Sequence, residues 1–246
     1  MKLIPTIQFL NERGKRSNNE DYIICGNFPD NQGYFFVVCD GVGGADKGEV
    51  ASKLACQRIE KYLLNNVSDT YNQDYMDGMI DFVENKFDNY TNQYPEAKGM
   101  ATTMVLLILH SDEAIAAHIG DSRIYHIRKN NILYKTQDHS LVNEFVRSGI
   151  ITEEEALTHP QRNVITRAIQ GRNVKQVKAD IHYISNVQFL DYFFLCSDGI
   201  LESITDSQLI QILSENWDNK KKIDFIRKQC AAFSKDNYSA FLIQID

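Results

Sequence analysis

Apolar and polar positions along the chain fall into blocks with two different periods. Over residues 48–65 apolar side chains recur at Val50, Leu54, Ile59 and Leu63, and over 75–90 at Met76, Met79, Ile80, Val83, Phe87 and Tyr90. This is helical spacing, and it predicts two successive amphipathic helices whose apolar faces need a sheet to pack on. Capping-box spacing (Thr152 with Glu155, Thr205 with Gln208) predicts two shorter helices, and Ile223, Ile226, Cys230 and Phe233 share one face of a helix over 219–233. Strand-like runs lie at 20–26, 34–39, 102–109, 114–119, 122–127, 131–136, 177–184, 191–196 and 238–245. Strands joined by short turns, with paired helices segregated from them, predict an antiparallel α+β layered sandwich rather than a parallel βαβ sheet.

Composition narrows the setting. The 246 residues include only 4 prolines and 13 glycines, with no linker-like cluster, so one domain over 1–246 is expected. Lys and Arg total 26 against 33 Asp and Glu, and a net charge of −7 disfavours a nucleic-acid partner. The start of the chain has a proline where a secretory signal needs an unbroken apolar run. The apolar stretch 104–109 is far short of the roughly 20 residues that span a bilayer. No membrane association is expected. Five widely spaced cysteines without a CxxC pair suggest neither a disulfide framework nor a thiolate zinc site, and fit a reducing cytoplasm.

The chemistry lies in where the acidic residues fall. Two apolar runs, 34–39 and 192–196, lead into Asp40-Gly41 and Asp198-Gly199; a third delivers Asp121; Glu20-Asp21 and Asp236-Asn237 each open another. Asp-Gly is also an ordinary turn signal, and any one of these sites taken alone reads as well that way. Five carboxylate-bearing strand ends together point further. Were they to converge, they would repel unless cations lay between them, and an oxygen-only donor set selects Mg²⁺ or Mn²⁺ over zinc.

The ordered segments 14–21 (Gly-Lys-Arg-Ser-Asn-Asn-Glu-Asp), 38–44 (Val-Cys-Asp-Gly-Val-Gly-Gly), 100–103 (Met-Ala-Thr-Thr), 118–123 (His-Ile-Gly-Asp-Ser-Arg), 138–141 (Asp-His-Ser-Leu), 196–199 (Cys-Ser-Asp-Gly) and Asp236-Asn237 resemble the motifs of metal-dependent serine/threonine protein phosphatases of the PPM, or type 2C, family. The likeness spans nearly the whole chain. It implies a four-layer α-β-β-α sandwich, two central antiparallel sheets flanked by helix pairs, with a metal cleft at one end. It also implies that Asp40 bridges two ions, with the Gly41 carbonyl as a further ligand. Asp198 and Asp236 then complete the first ion's ligands, Glu20 holds waters of the second with Asp21 beside it, and Asp121 with Asp198 forms a third-ion site. Arg16 would grip the substrate phosphate, for which its planar fork of donors is suited. A water bridging two cations about 3.5–4 Å apart is a hydroxide near neutral pH and attacks phosphorus without a phosphoenzyme.

Further expectations follow from the resemblance. The substrates are phosphorylated proteins, in opposition to a serine/threonine kinase, and the enzyme is a monomer of bacterial type with a flap at about 139–175. Val42 stands where many eukaryotic members carry a histidine proposed to protonate the leaving group, Ala101 replaces a common glycine, and Ser239 a common threonine. Arg123 is assigned to structure, pairing with a carboxylate beneath the site, and Thr102 and Thr103 to supporting hydrogen bonds. His118 reads as a core histidine, His139 is left without a role, and Cys39 and Cys196 read as small core residues. The run 41–49 fits neither GxGxxG nor a P-loop. Two rival readings share the site: a pseudophosphatase that binds without turnover, separated by hydrolysis of an aryl phosphate with Mn²⁺, and a small-molecule phosphoesterase, separated by a phosphopeptide panel.

Overall fold

A computed structural model describes residues 4–29, 32–42, 47–171 and 176–246. Gly43, Gly44 and Asp46 of the glycine-rich run, and 172–175 of the region read as a flap, lie outside the described residues. The strands are β1 (Pro5–Glu12), β2 (Asp21–Asn27), β3 (Gly33–Val42), β4 (Ala101–Thr102), β5 (Met104–His110), β6 (Glu113–Ile119), β7 (Arg123–Arg128), β8 (Asn131–Lys135), β9 (Ile169–Gln170), β10 (Asp180–Ile184), β11 (Tyr192–Cys196) and β12 (Tyr238–Ile245). The helices are α1 (Gly48–Asn65), α2 (Gln73–Gln93), α3 (Leu141–Arg147), α4 (Glu153–Thr158), α5 (Asp198–Leu201), α6 (Asp206–Ser214) and α7 (Asn219–Phe233).

Two antiparallel sheets result. One has the order β1-β12-β11-β7-β8; in the other β2 and β5 flank β3, β6 and β10 follow β5, and β4 and β9 continue the sheet beside the end of β3. The central strands are apolar on both faces, so alternate residues feed different cores. Phe36 and Val38 of β3 and Val105 and Leu107 of β5 meet Phe193, Leu195, Phe241 and Ile243 between the sheets. Their neighbours Phe35, Val37, Cys39, Leu106 and Ile108 pack against Ile59 and Leu63 of α1 and Met76, Ile80 and Val83 of α2. On the other side Phe194, Cys196 and Leu242 pack against Leu209 of α6 and Ile226 and Cys230 of α7. The layers are therefore α-β-β-α, as the resemblance implied.

Local chemistry sets the helix ends. Asn72, Thr205 and Asp218 accept N-terminal amide hydrogens of α2, α6 and α7, and both anticipated capping boxes form, at Thr152–Glu155 and Thr205–Gln208. Four elements lack a counterpart in the sequence reading: β1, the two-residue β9, α3 and the short α5. β1 is an edge strand with only Leu10 fully buried, so its hydrophobic alternation is weak. The run 102–109 is also broken at Thr103, for a reason that belongs to the site.

Candidate functional site

Antiparallel register carries the candidate residues to one end of the sandwich. Asp21 at the start of β2 lies opposite Asp40 near the end of β3. Glu12 at the end of β1 lies opposite Tyr238 at the start of β12, which puts the 13–20 loop beside Asp236. Cys196 at the end of β11 faces both Ala240 and Arg123, so Asp198 emerges beside the start of β12 and the β6–β7 turn that carries Asp121. The structure thus brings together Arg16, Glu20, Asp21, Asp40, Gly41, Asp121, Asp198 and Asp236.

Asp40 is held by threonines. Its amide donates to Thr103 Oγ1 (3.0 Å), and its carbonyl accepts from the Thr103 amide (2.8 Å) and Thr102 Oγ1 (2.8 Å). A side-chain oxygen thus replaces a ladder carbonyl, which is why the β4–β5 line breaks at Thr103 and how the backbone of Asp40 is fixed. The same hydroxyl lies 2.8 Å from Ser122 Oγ, beside Asp121. The two Asp-Gly pairs are not turns. Gly41 continues β3, and a Cβ there would lie 2.1 Å from the Gly48 carbonyl oxygen; Gly199 lies in α5, where a Cβ would meet the Asn237 oxygen at 1.9 Å. Both glycines permit close backbone approach under the carboxylates.

The 13–20 loop is fastened by Asn237, a residue to which the sequence reading gave no role. Its Oδ1 accepts from the Glu20 amide (2.9 Å), and its Nδ2 donates to the carbonyls of Arg13 (2.7 Å) and Asn18 (2.7 Å). Glu20 is packed where a Cβ on Gly48 would reach its carboxyl carbon at 2.9 Å. Arg16 Nη2 donates to Asp236 Oδ2 at 2.6 Å while its side chain stays 53% exposed. Ser197 was also missed. Its hydroxyl donates to Asp21 Oδ2 (2.7 Å), and its Oγ accepts from the Ser239 amide (3.0 Å).

Electrostatics follows from the crowding. Burial, opposed by the Ser197 hydrogen bond, raises the carboxyl of Asp21 to about 7. Burial and repulsion from Asp21, Asp198 and Asp121 push Asp40 well above the usual range. Asp121 is raised to about 7 by burial and by Asp198 and Asp138; Asp198 is raised to about 6 by burial and Asp236, although a hydrogen bond with Asp40 works the other way. Crowded carboxylates raise one another in this way where too little positive charge is near them. Their all-oxygen donor set is the chemistry of a hard divalent cation. The supporting residues behave as expected. Arg123 forms two 2.7 Å bonds to Asp138, and Cys39 and Cys196 are fully buried in the helix-facing cores, the Cys196 thiol being pushed up by burial.

Comparison with known proteins agrees with this geometry. The family described as Protein phosphatase 2C matches residues 12–240. The protein phosphatase PhpP of Streptococcus pneumoniae is 31% identical over 236 residues, 94% of each chain. The solved serine/threonine phosphatase of S. agalactiae superposes with a TM-score of 0.89 at 29% identity, covering 99% of this chain and 100% of that one. The catalytic domain of the serine/threonine phosphatase PstP, solved in complex with two manganese ions, shares the fold at a TM-score of 0.83 and 24% identity, covering 99% of each chain. With the motifs, the sandwich and the acidic end all in agreement, the chain belongs to the protein phosphatase 2C family and is a protein serine/threonine phosphatase.

Proposed function

We propose that the enzyme hydrolyses phosphoserine and phosphothreonine in proteins with two divalent cations, Mn²⁺ or Mg²⁺, and a third at its flank. Asp40, the Gly41 carbonyl, Asp198 and Asp236 would hold the core ions with Glu20, beside which Asp21 lies; Asp121 and Asp198 would hold the third. The observation that carries this reading is the convergence of Asp21, Asp40, Asp121, Asp198 and Asp236 from separate strand ends onto one end of the sandwich, close enough for each to act on the charge of Asp40. The manganese-bearing PstP neighbour lends support. When bound, such ions supply a hydroxide near neutral pH for in-line attack on phosphorus.

The chain's own residues do the rest. Thr102 and Thr103 fix the backbone of Asp40, so its carboxylate is aimed before any ion arrives. Asn237 holds the loop that presents Glu20 and Arg16. Arg16, half in solvent and held, among the described residues, only by an exposed pair with Asp236, would be able to turn its fork of donors to two phosphate oxygens. No side chain is asked to accept the phosphoryl group. The region 139–175 is read as a flap bordering the cleft, and the enzyme as a cytoplasmic monomer opposing a serine/threonine kinase. No helix among the described residues is long and apolar enough to cross a membrane.

Excess chelator should abolish hydrolysis of a phosphothreonine peptide, Mn²⁺ or Mg²⁺ should restore it, and Zn²⁺ should substitute poorly. Asp198→Asn should lose cation binding in calorimetry together with turnover. Full activity in chelator, or a ³²P-labelled enzyme trapped by rapid quench from a labelled phosphoprotein, would overturn the mechanism.

A further inference from the structure

His118, His139 and Asp180 bring ligand-capable atoms within 4.8 Å of one another. Their geometry does not suit a metal ion. The two imidazoles stack face to face, with centroids 4.4 Å and planes 17° apart, so their in-plane lone pairs run side by side instead of converging on one point. His118 Nε2 also faces the Gln137 carbonyl oxygen at 2.9 Å, and a carbonyl only accepts, so that nitrogen carries the proton.

The cluster grips Gly120 instead. The His139 amide donates to the Gly120 carbonyl oxygen (2.9 Å), and His139 Nδ1 accepts from the Gly120 amide (3.1 Å). One residue thus holds both backbone polar groups of another 19 positions away. Gly120 opens the turn out of β6 at a φ of +100°, with Thr103 so close that a Cβ would lie 2.6 Å from its methyl carbon; Asp121 comes next. Since an amide can only donate, Nδ1 must be the lone-pair nitrogen and Nε2 the protonated one. Nε2 accordingly donates to Asp180 Oδ2 (3.1 Å), while Arg167 Nη1 donates to Asp180 Oδ1 (2.7 Å). Burial, reinforced by His118 and opposed by Asp180, holds His139 at about 4, so the ring is neutral at physiological pH.

We propose that His139 is a positioning residue: Asp180 fixes its Nε2–H tautomer, Nδ1 then clamps the Gly120 amide, and the clamp sets how Asp121 faces Asp198 and hence the affinity of the cation site they share. Only that last step rests on the reading of Asp121 as a ligand given above.

In the full-length protein, His139→Asn places an amide oxygen near the Nδ1 position and keeps an acceptor for Gly120. His139→Gln reaches toward Asp180 and leaves the Gly120 amide without one. Two-bond ¹H–¹⁵N correlations should find wild-type His139 protonated on Nε2 alone at pH 7. The Gly120 amide should exchange slowly in wild type and His139→Asn, and about tenfold faster in His139→Gln. In Mn²⁺ calorimetry the site that Asp121→Ala abolishes should lose about tenfold in affinity in His139→Gln and no more than about threefold in His139→Asn, the scale expected for an outer-sphere partner. KM for a phosphothreonine peptide at saturating Mn²⁺ should be the same in both variants. Equal losses in the two variants, an Nδ1–H tautomer in the wild type, or Zn²⁺ shifting both histidines' ¹⁵N resonances at one equivalent would overturn the proposal. Asp121→Ala separates the two readings. If it keeps every Mn²⁺ site, Asp121 is not a ligand, and the tautomer and amide exchange still decide the clamp.

Discussion

Arg16 stands at the rim of the acidic end with two claims on it. It donates to Asp236 at 2.6 Å with half its side chain in solvent, an exposed pair of modest worth. An exposed pair is easily exchanged, which suits a residue that must release a carboxylate to a cation and take a phosphate. Arg16→Ala should therefore raise KM for a phosphothreonine peptide about tenfold, with kcat falling too where the hold tightens in the transition state. Mn²⁺ affinity should be retained or slightly improved, because a competitor for Asp236 has been removed. Steady-state kinetics beside calorimetry read both effects. An unchanged KM would make Arg16 a bystander, and lost Mn²⁺ binding would make it structural.

Among the elements, the loop between β1 and β2 and the start of β12 form one working unit through Asn237, which is 3% exposed and bonded to three backbone groups of that loop. Asn237→Ala leaves those groups to water or unpaired, and should lower stability by about 1–3 kcal/mol. Turnover at subsaturating Mn²⁺ should fall further than stability accounts for, since Arg16 and Glu20 lose their seat. Denaturant melts and Mn²⁺-dependent rates distinguish this from simple unfolding. The same elements show what could be read from the chain. α1, α7 and β12 were anticipated at their observed bounds because long periodic runs and capping side chains are local signals. The carboxylates were legible because each lies beside an apolar run, which topology then gathers. Asn237, Ser197 and His139 were not, because their partners lie elsewhere in the chain: Asn18, whose carbonyl Asn237 holds, is 219 positions away, Asp21, whose carboxylate Ser197 holds, is 176, and Gly120 is 19 from His139. Such partners leave no periodicity, and β1, an edge strand with one fully buried side chain, leaves little.

For the molecule as a whole, the acidic end and the far end of the sandwich pull stability in opposite directions with pH. Asp21 and Asp121 at about 7 and Asp198 at about 6 lie above the unfolded value near 4. The folded chain thus binds more protons than the unfolded one between about pH 4 and 7, and without cations its stability should fall as pH rises through that window. A buried carboxylate elsewhere does the reverse. Burial alone would raise Asp191, but bonds from Arg128 (2.6 and 2.7 Å) and His126 (2.9 Å) outweigh it and hold it at about 2, so its contribution is present above about pH 4 and lost as pH falls toward 2. Chelated protein should be most stable near pH 4, lose Tm progressively from there to about pH 7, and level off above. Mn²⁺ at a hundred times its Kd should return about 2.7 kcal/mol at pH 8, and progressively less toward pH 5, where protons compete for the same oxygens. Asp191→Asn should lower Tm everywhere above about pH 4 and flatten the acid limb, while leaving the slope from about pH 5 to 8 unchanged. Thermal melts from pH 3 to 8, with chelator and with Mn²⁺, test both limbs; a chelated Tm that stays level from pH 5 to 8 would mean that the clustered carboxylates do not strain the fold, and the argument for cations between them would fail with it.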